Sequence, residues 1–348
     1  MPPENEAPIA TAIHSETALS HSGAPTAPIA LDRVSHDYGT RRALDELSFT
    51  VNRGEIFGLL GPNGSGKTTL FRILSTLMVP SGGRATLQGF DVAREPNQVR
   101  QQIGIVFQAR SLDPKLTVAE NLKHQGHLYG LHGALLRTRI QEVLTRVGLL
   151  DRSSDLVETL SGGQQRRVEL AKGLIHSPEV LLLDEPSTGL DPGARRDLWL
   201  YLRTLRDQEG VTVLVTTHLM EEAEHCDRLA ILNEGKLVAL GSPAELKAQI
   251  GGDVVALETA DPEQAAQLAA QLAGRFGVHP VVVDQFVRVE REQGHRFAAE
   301  IVEAFPGKIE AVSVAKPSLE DVFIDRTGHR FWNEPPAEAE KKKKGRRH

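Results

Sequence analysis

The chain has 348 residues, 40% hydrophobic and 25% charged, with a formal net charge of -6 at pH 7, which suits one large core plus a smaller one and excludes a molecule built throughout to bind nucleic acid. A single cysteine, Cys226, excludes an intramolecular disulfide and suits a reducing compartment. No window approaches the ~18 consecutive apolar residues of a membrane-spanning helix, and the N-terminus lacks the basic-then-apolar order of a secretory signal, so the chain reads as cytoplasmic and at most peripheral to a membrane.

Residues 1–28 carry Pro2, Pro3, Pro8, Pro25 and Pro28 among Ala, Ser and Thr, which predicts a disordered tail. Leu47, Phe49 and Val51 alternate with Ser48 and Thr50, the pattern of a half-buried strand. Residues 56–60 form an apolar run that reads as a buried strand, and after a glycine-rich loop Leu70, Ile73, Leu74 and Leu77 recur at helical spacing. From about 109 to 160 the pattern is helical: Thr117 and Glu120 make a capping box, and Leu136, Ile140, Val143 and Val147 stripe a following helix. Two further buried strands are predicted over 180–183 and 211–217, giving an α/β core over 29–250 with a mainly parallel sheet. Residues 251–328 then read as strand (254–258), helix (263–275), strand (278–284), strand (286–291), helix (296–305) and strand (308–314), with a short helix at 318–325. That order is a small α+β, ferredoxin-like unit. Residues 329–348 end in Lys341 to Lys344, Arg346 and Arg347, a like-charge block expected to stay solvated and disordered.

Two stretches carry chemistry. Gly61-Pro62-Asn63-Gly64-Ser65-Gly66-Lys67-Thr68 matches the phosphate-loop pattern, in which glycines let backbone N–H groups converge on one point at a helix N-terminus. Lys67 is expected to reach the β- and γ-phosphates of ATP and the Thr68 hydroxyl to ligate Mg²⁺, with Thr69 completing the nucleotide-binding set. Residues 180–183 run into Asp184 and Glu185, placing two carboxylates at the end of a buried strand, where open α/β sheets bind ligands. There Asp184 would hold Mg²⁺ and Glu185 would polarise the attacking water.

Leu160-Ser161-Gly162-Gly163-Gln164 resembles the signature motif of ABC ATPases, and 94 residues separate Lys67 from Ser161, a transporter-cassette spacing. The resemblance covers about 29–250 and implies an antiparallel β subdomain beside the parallel core and the helical insert. It implies that Tyr38 stacks on adenine, that Gln108 senses Mg²⁺ and the attacking water, and that His218 contacts the γ-phosphate and supports Glu185. Residues 187–191, ending at Asp191, resemble the loop that links two ATP sites. In that family Ser161, Gly162, Gly163 and Gln164 meet the phosphate held by another subunit, so the resemblance implies a head-to-tail pair, most simply a homodimer, closing on two MgATP and driving a separate membrane permease on the cytoplasmic face of the membrane.

Residues 183–192 and Lys316-Pro317-Ser318-Leu319-Glu320-Asp321-Val322-Phe323 resemble the daunorubicin-resistance type of export ATPase, which implies an exporter of drug, lipid, polysaccharide or ion. An importer ATPase is the alternative, and a soluble ABC ATPase the more distant one. A translation factor of this class would carry two cassettes, and a chromosome-maintenance ATPase would need a long coiled coil where only 94 residues stand. Residues 251–328 are expected to serve regulation or dimer contact, and the basic tail to touch anionic lipid weakly if at all.

Overall fold

The structure, a computed structural model, describes residues 27–331. The expected N-terminal tail, up to residue 26, and the basic run 341–347 lie outside the described residues. Strands β1 (Ile29–Tyr38) and β2 (Arg41–Val51) precede β3 (Ile56–Leu60), the phosphate loop and α1 (Lys67–Leu74). Then come β4 (Gly82–Leu87), β5 (Phe90–Asp91), α2 (Pro96–Gln102) and β6 (Ile103–Val106). The helical insert contains α3 (Val118–Leu128) and α4 (Gly133–Arg146), and α5 (Gly162–Leu174) returns the chain to the sheet. The core closes with β7 (Val180–Asp184), α6 (Pro192–Glu209), β8 (Thr212–Thr217), α7 (Met220–Ala223), the hairpin β9 (Arg228–Asn233) and β10 (Lys236–Gly241), and α8 (Pro243–Ala248).

Six strands form the central sheet in the order β10-β9-β3-β8-β7-β6, parallel except for β10. Every residue of β3, β7 and β8 is buried, because apolar clusters cover both faces of the sheet. A separate antiparallel sheet, β2-β1-β4-β5, packs against α1 and β3 through Leu31, Leu44, Phe49 and Phe57. Cys226 is buried beneath β3, where a side chain on Gly58 would strike its sulfur. Thr117 caps α3 in the expected reciprocal box with Glu120.

The C-terminal unit is β11 (Asp253–Glu258), α9 (Pro262–Phe276), β12 (Val281–Val283), β13 (Phe286–Arg291), α10 (Gly294–Ala304), β14 (Ala311–Ala315) and α11 (Leu319–Thr327). Its sheet order, β12-β13-β11-β14, all antiparallel, is the ferredoxin-like arrangement. Helices α9 and α10 cover one face through Leu268, Leu272, Phe297 and Ile301. Toward the cassette, Val254 joins Leu319, Val322 and Phe323 of α11 in a cluster with Leu229 and Ile231 of β9.

Three readings need correction. Leu77 lies beyond α1 and is 61% exposed, because Thr76 turns the chain through the left-handed region (φ 60). The strand expected over 278–284 shortens to Val281–Val283, since Pro280 has no N–H to offer a ladder. Residues 329–331, expected in the solvated tail, belong to the packed structure: Phe331 is 1% exposed beside Phe323.

Phe323 is fully buried where the C-terminal unit meets the cassette. Phe323→Ala is expected to destabilise the chain by about 3–5 kcal/mol, the usual cost of deleting a core aromatic ring, as read by urea denaturation.

Candidate nucleotide site

Strand register builds the site. Leu60 lies opposite Thr217, Asp184 opposite Thr216, and Val106 opposite Leu183. Four parallel strands therefore end together, and the residues that follow them (Gly61, Gln108, Glu185 and His218) emerge at one edge of the sheet.

The phosphate loop needs its glycines for space as well as for turning. A Cβ on Gly61 would sit 2.5 Å from Leu232 O, and one on Gly66, whose φ is 105, would meet Ala43 O at 2.7 Å. Gly66 N-caps α1, so the helix's positive end faces the loop. Lys67 is buried, and its Nζ donates to Gly61 O (2.6 Å) and Pro62 O (3.0 Å), with no carboxylate in ion-pair reach among the described residues. Burial holds its ammonium below the usual lysine range, while nearby Glu185 and Asp184 pull it back up. The Ser65 hydroxyl is buried without a hydrogen-bond partner among the described residues. Tyr38, Arg41, Asn63, Thr68, Thr69 and Glu185 help line a cavity of about 170 Å³ above the loop. Tyr38 stands at its rim, 44% exposed, steadied edge-on by His36 and by a hydroxyl contact to Met78 Sδ at 3.4 Å. A buried cation on loop carbonyls, an orphan hydroxyl and converging amides suit a polyphosphate.

Around Glu185 the expected residues assemble. Gln108 Nε2 donates to Oε2 at 3.0 Å, and His218 Nδ1 lies 3.0 Å from Oε1. Glu185 takes a left-handed backbone (φ 43), a strained conformation for a side chain of its size, and Thr216 pins it. The Glu185 N–H reaches Thr216 O (3.2 Å) and Thr216 Oγ1 (3.0 Å). The same hydroxyl donates to Asp184 Oδ1 at 2.6 Å. Burial pushes the Asp184 carboxyl up; the Thr216 bond opposes that shift and Glu185 adds to it.

The signature residues lie elsewhere. Ser161 N-caps α5: its hydroxyl accepts from Gln164 N–H (3.3 Å) while Gln164 Oε1 accepts from Ser161 N–H (2.9 Å). Ser161 is exposed, and Gly162, Gly163 and Gln164 are half-buried. Asp191 is exposed as the N-cap of α6, accepting from Ala194 N–H at 3.0 Å. None of these five lines the cavity above the phosphate loop of the same chain.

Sequence reasoning missed three supporting residues. Thr216 looks like any β-branched strand residue. Arg166, buried in α5, donates to Pro186 O (2.7 Å), Phe107 O (2.8 Å) and Glu169 (2.7 Å), tying the signature helix to the strands carrying Gln108 and Glu185. Glu169 in turn accepts from Ser111 N–H at 2.7 Å. A charged pair three residues apart on the buried face of α5 was the available signal.

Comparison with known proteins decides the family. The ABC transporter family matches residues 44–188, and the family described as ATP-binding protein DrrA1-3-like, C-terminal domain, matches residues 241–327. The daunorubicin resistance ATP-binding protein DrrA2 of Streptomyces coeruleorubidus is 40% identical over 314 residues, covering 87% of this chain and 95% of that protein. The chain belongs to the ABC transporter ATP-binding family. Nod factor export ATP-binding protein I of Burkholderia lata is 38% identical over 307 residues, covering 87% of this chain and 98% of that protein. Among solved structures, the dimeric post-hydrolysis state of the cassette MJ0796 bound to ADP and Pi superposes with a TM-score of 0.56 at 28% identity, covering 62% of this chain and 98% of that one. The chain is thus an ABC-type ATPase, and no helix among the described residues is long and apolar enough to cross a membrane.

Removing Arg166 alone strands Glu169, which is 3% exposed. Arg166→Met is expected to lower the free energy of unfolding by about 3–5 kcal/mol, and Arg166→Met with Glu169→Leu to recover much of it, by urea denaturation.

Proposed function

We propose that the chain is the ATP-hydrolysing subunit of an exporter, closing head-to-tail with a second copy around two MgATP and driving a separate membrane permease. The observation that carries the pairing is the separation described above: one chain holds a phosphate cavity and an exposed signature helix start that do not meet. An isologous two-fold pair brings each helix start to the other's cavity, making two equal sites. The α5 N-terminus, with Ser161 at its cap, then presents amides and a positive dipole end to a γ-phosphate.

Within each site Lys67 and the loop amides hold the phosphates, and Tyr38 offers its ring face to adenine. Glu185 accepts a proton from the attacking water, while Gln108 and His218 fix its two oxygens in place. Thr68, Asp184 and the Gln108 amide oxygen are the oxygen donors that would hold Mg²⁺, a donor set matching a hard cation. Bound there, Mg²⁺ would neutralise charge on the β- and γ-phosphates. ATP favours the closed pair because the γ-phosphate touches both copies, and its loss reopens the seam.

Export is supported by the relatives' names, which speak of daunorubicin resistance and Nod factor export, and by the match of residues 241–327 to the C-terminal domain of the resistance proteins. The importer reading has no such support. Residues 251–328 have an apolar cluster of their own beside the one shared with the cassette, and none of the residues assigned to the ATP site, which favours a regulatory or dimer-contact role.

Glu185→Gln is expected to retain ATP while turnover falls by about 10²–10⁴-fold, the usual worth of a general base; a wild-type rate in steady-state assays would remove Glu185 from that role. Ser161→Arg should abolish nucleotide-dependent dimers in light scattering while leaving ATP affinity of the single chain unchanged. Persistence of the dimer would refute the head-to-tail arrangement. In inverted vesicles carrying the copurifying permease, ATP should drive accumulation of exported substrate with the wild-type chain and not with Glu185→Gln.

A further inference from the structure

We propose that His329 and Phe331 are positioning residues for the phosphate loop, acting through the β9–β10 turn, so that the segment following α11 sets the affinity for ATP. The proposal rests on the ATP-site reading and goes beyond it, because these residues lie past the matched C-terminal domain, which ends at residue 327.

Helix α11 stops at Gly328, whose left-handed backbone (φ 75) turns the chain back across the cassette. His329 Nδ1 donates to Arg330 O (3.0 Å), which leaves Nε2 as an acceptor, 3.3 Å from the Asn233 side-chain amide. Asn233 ends β9 and opens a tight turn through Glu234 (φ 48) and Gly235 (φ 79), the two-positive-φ form typical of short hairpins.

That turn is wedged against the phosphate loop. Gly235 N–H donates to Ser65 O at 3.1 Å, and Gly235 O accepts from Asp45 N–H at 2.9 Å. A Cβ on Gly235 would meet Ala43 O at 2.7 Å, so the turn has no room to shift toward β2. Phe331 anchors the same segment from below: it is 1% exposed, 5.0 Å from the Phe323 ring, and shares a cluster with Leu60, the residue before Gly61. Arg330 ties the segment outward, its guanidinium 4.4 Å over the Phe286 ring and 3.8 Å from Asp284 in the β12–β13 turn.

Between this segment and the outer side of the loop lies a cavity of about 440 Å³, lined by Pro62, Asn63, Gly64 and Glu234 among others. The loop is therefore not packed solidly from behind. Its position depends on the rim of that cavity, where His329 and Phe331 hold the turn that holds Ser65. Amides that must converge on phosphate oxygens lose affinity when their frame loosens by a fraction of an ångström.

The test uses the full chain, titrated with a fluorescent ATP analogue and assayed for steady-state ATPase, with melting temperature measured in parallel. His329→Ala and Phe331→Leu are expected to raise Kd and KM for ATP about fivefold, the scale of one net hydrogen bond, with kcat within about twofold; Tm should hardly move in His329→Ala and should fall in Phe331→Leu, which deletes buried ring atoms. His329→Gln, which restores an acceptor for Asn233, should return Kd to near wild type, and the exposed Arg326→Ala should behave as wild type throughout. Unchanged Kd and KM in both His329→Ala and Phe331→Leu would overturn the proposal. So would a fall in kcat and Tm with KM unmoved, which would mark the segment as merely structural. A wild-type chain that fails to bind the nucleotide would overturn the ATP site itself, and this proposal with it.

Discussion

The alignment of four strand ends governs this molecule. Because Leu60 faces Thr217 and Asp184 faces Thr216, the phosphate loop, the acidic pair and His218 leave the sheet side by side. A slip of one residue between β7 and β8 would put Thr216 and Asp184 on opposite faces and take the hydroxyl from the carboxylate. The register is secured by burial on both faces, with one apolar cluster above the sheet and one below. The geometry proposed for catalysis is a by-product of core packing, which is why the strained Glu185 backbone can persist: its N–H is clamped by Thr216 on the neighbouring strand.

How much of this was legible in the chain depended on how local the physics is. The phosphate loop and the Asp184–Glu185 pair could be read directly, because their chemistry requires contiguous residues in a fixed order. Tyr38, Gln108 and His218 are single residues, and only family resemblance picked them out. Arg166 escaped because its partners Pro186 and Phe107 lie 20 and 59 residues away, and nothing near it in sequence hints at them. The ferredoxin-like order survived imprecise strand limits, since topology follows from the number and sequence of elements. Residues 329–331 were misassigned because the lysine-rich stretch beyond them dominates the composition, although Phe331 is the kind of residue that seeks burial.

The C-terminal unit and the cassette share a core rather than a linker. Helix α11 is covalently part of the former, yet Leu319, Val322 and Phe323 pack with Leu229, Ile231 and Leu60 of the latter. The ion pair of half-buried Arg288 with buried Asp321, the N3 partner of Ser318 in the α11 capping box, fixes that helix to its own sheet. The two units are therefore joined by packing at α11 as well as by the chain itself, which passes from α8 to β11 through the exposed Gly251 and through Gly252 (φ 136).

The reciprocal cap at Ser161 has a consequence for its own replacement. A serine hydroxyl has two lone pairs and one proton, and bonding to the Gln164 N–H uses one lone pair only. The proton is left to point out from the helix start, toward whatever anion arrives. Aspartate at this position would still cap the helix while confronting that anion with like charge, and alanine would forfeit cap and donor together. Threonine keeps both functions, so among the small capping residues it is the side chain that reproduces serine's division of labour with the same hydroxyl, whereas asparagine would have to split it between Oδ1 and Nδ2 of a bulkier amide.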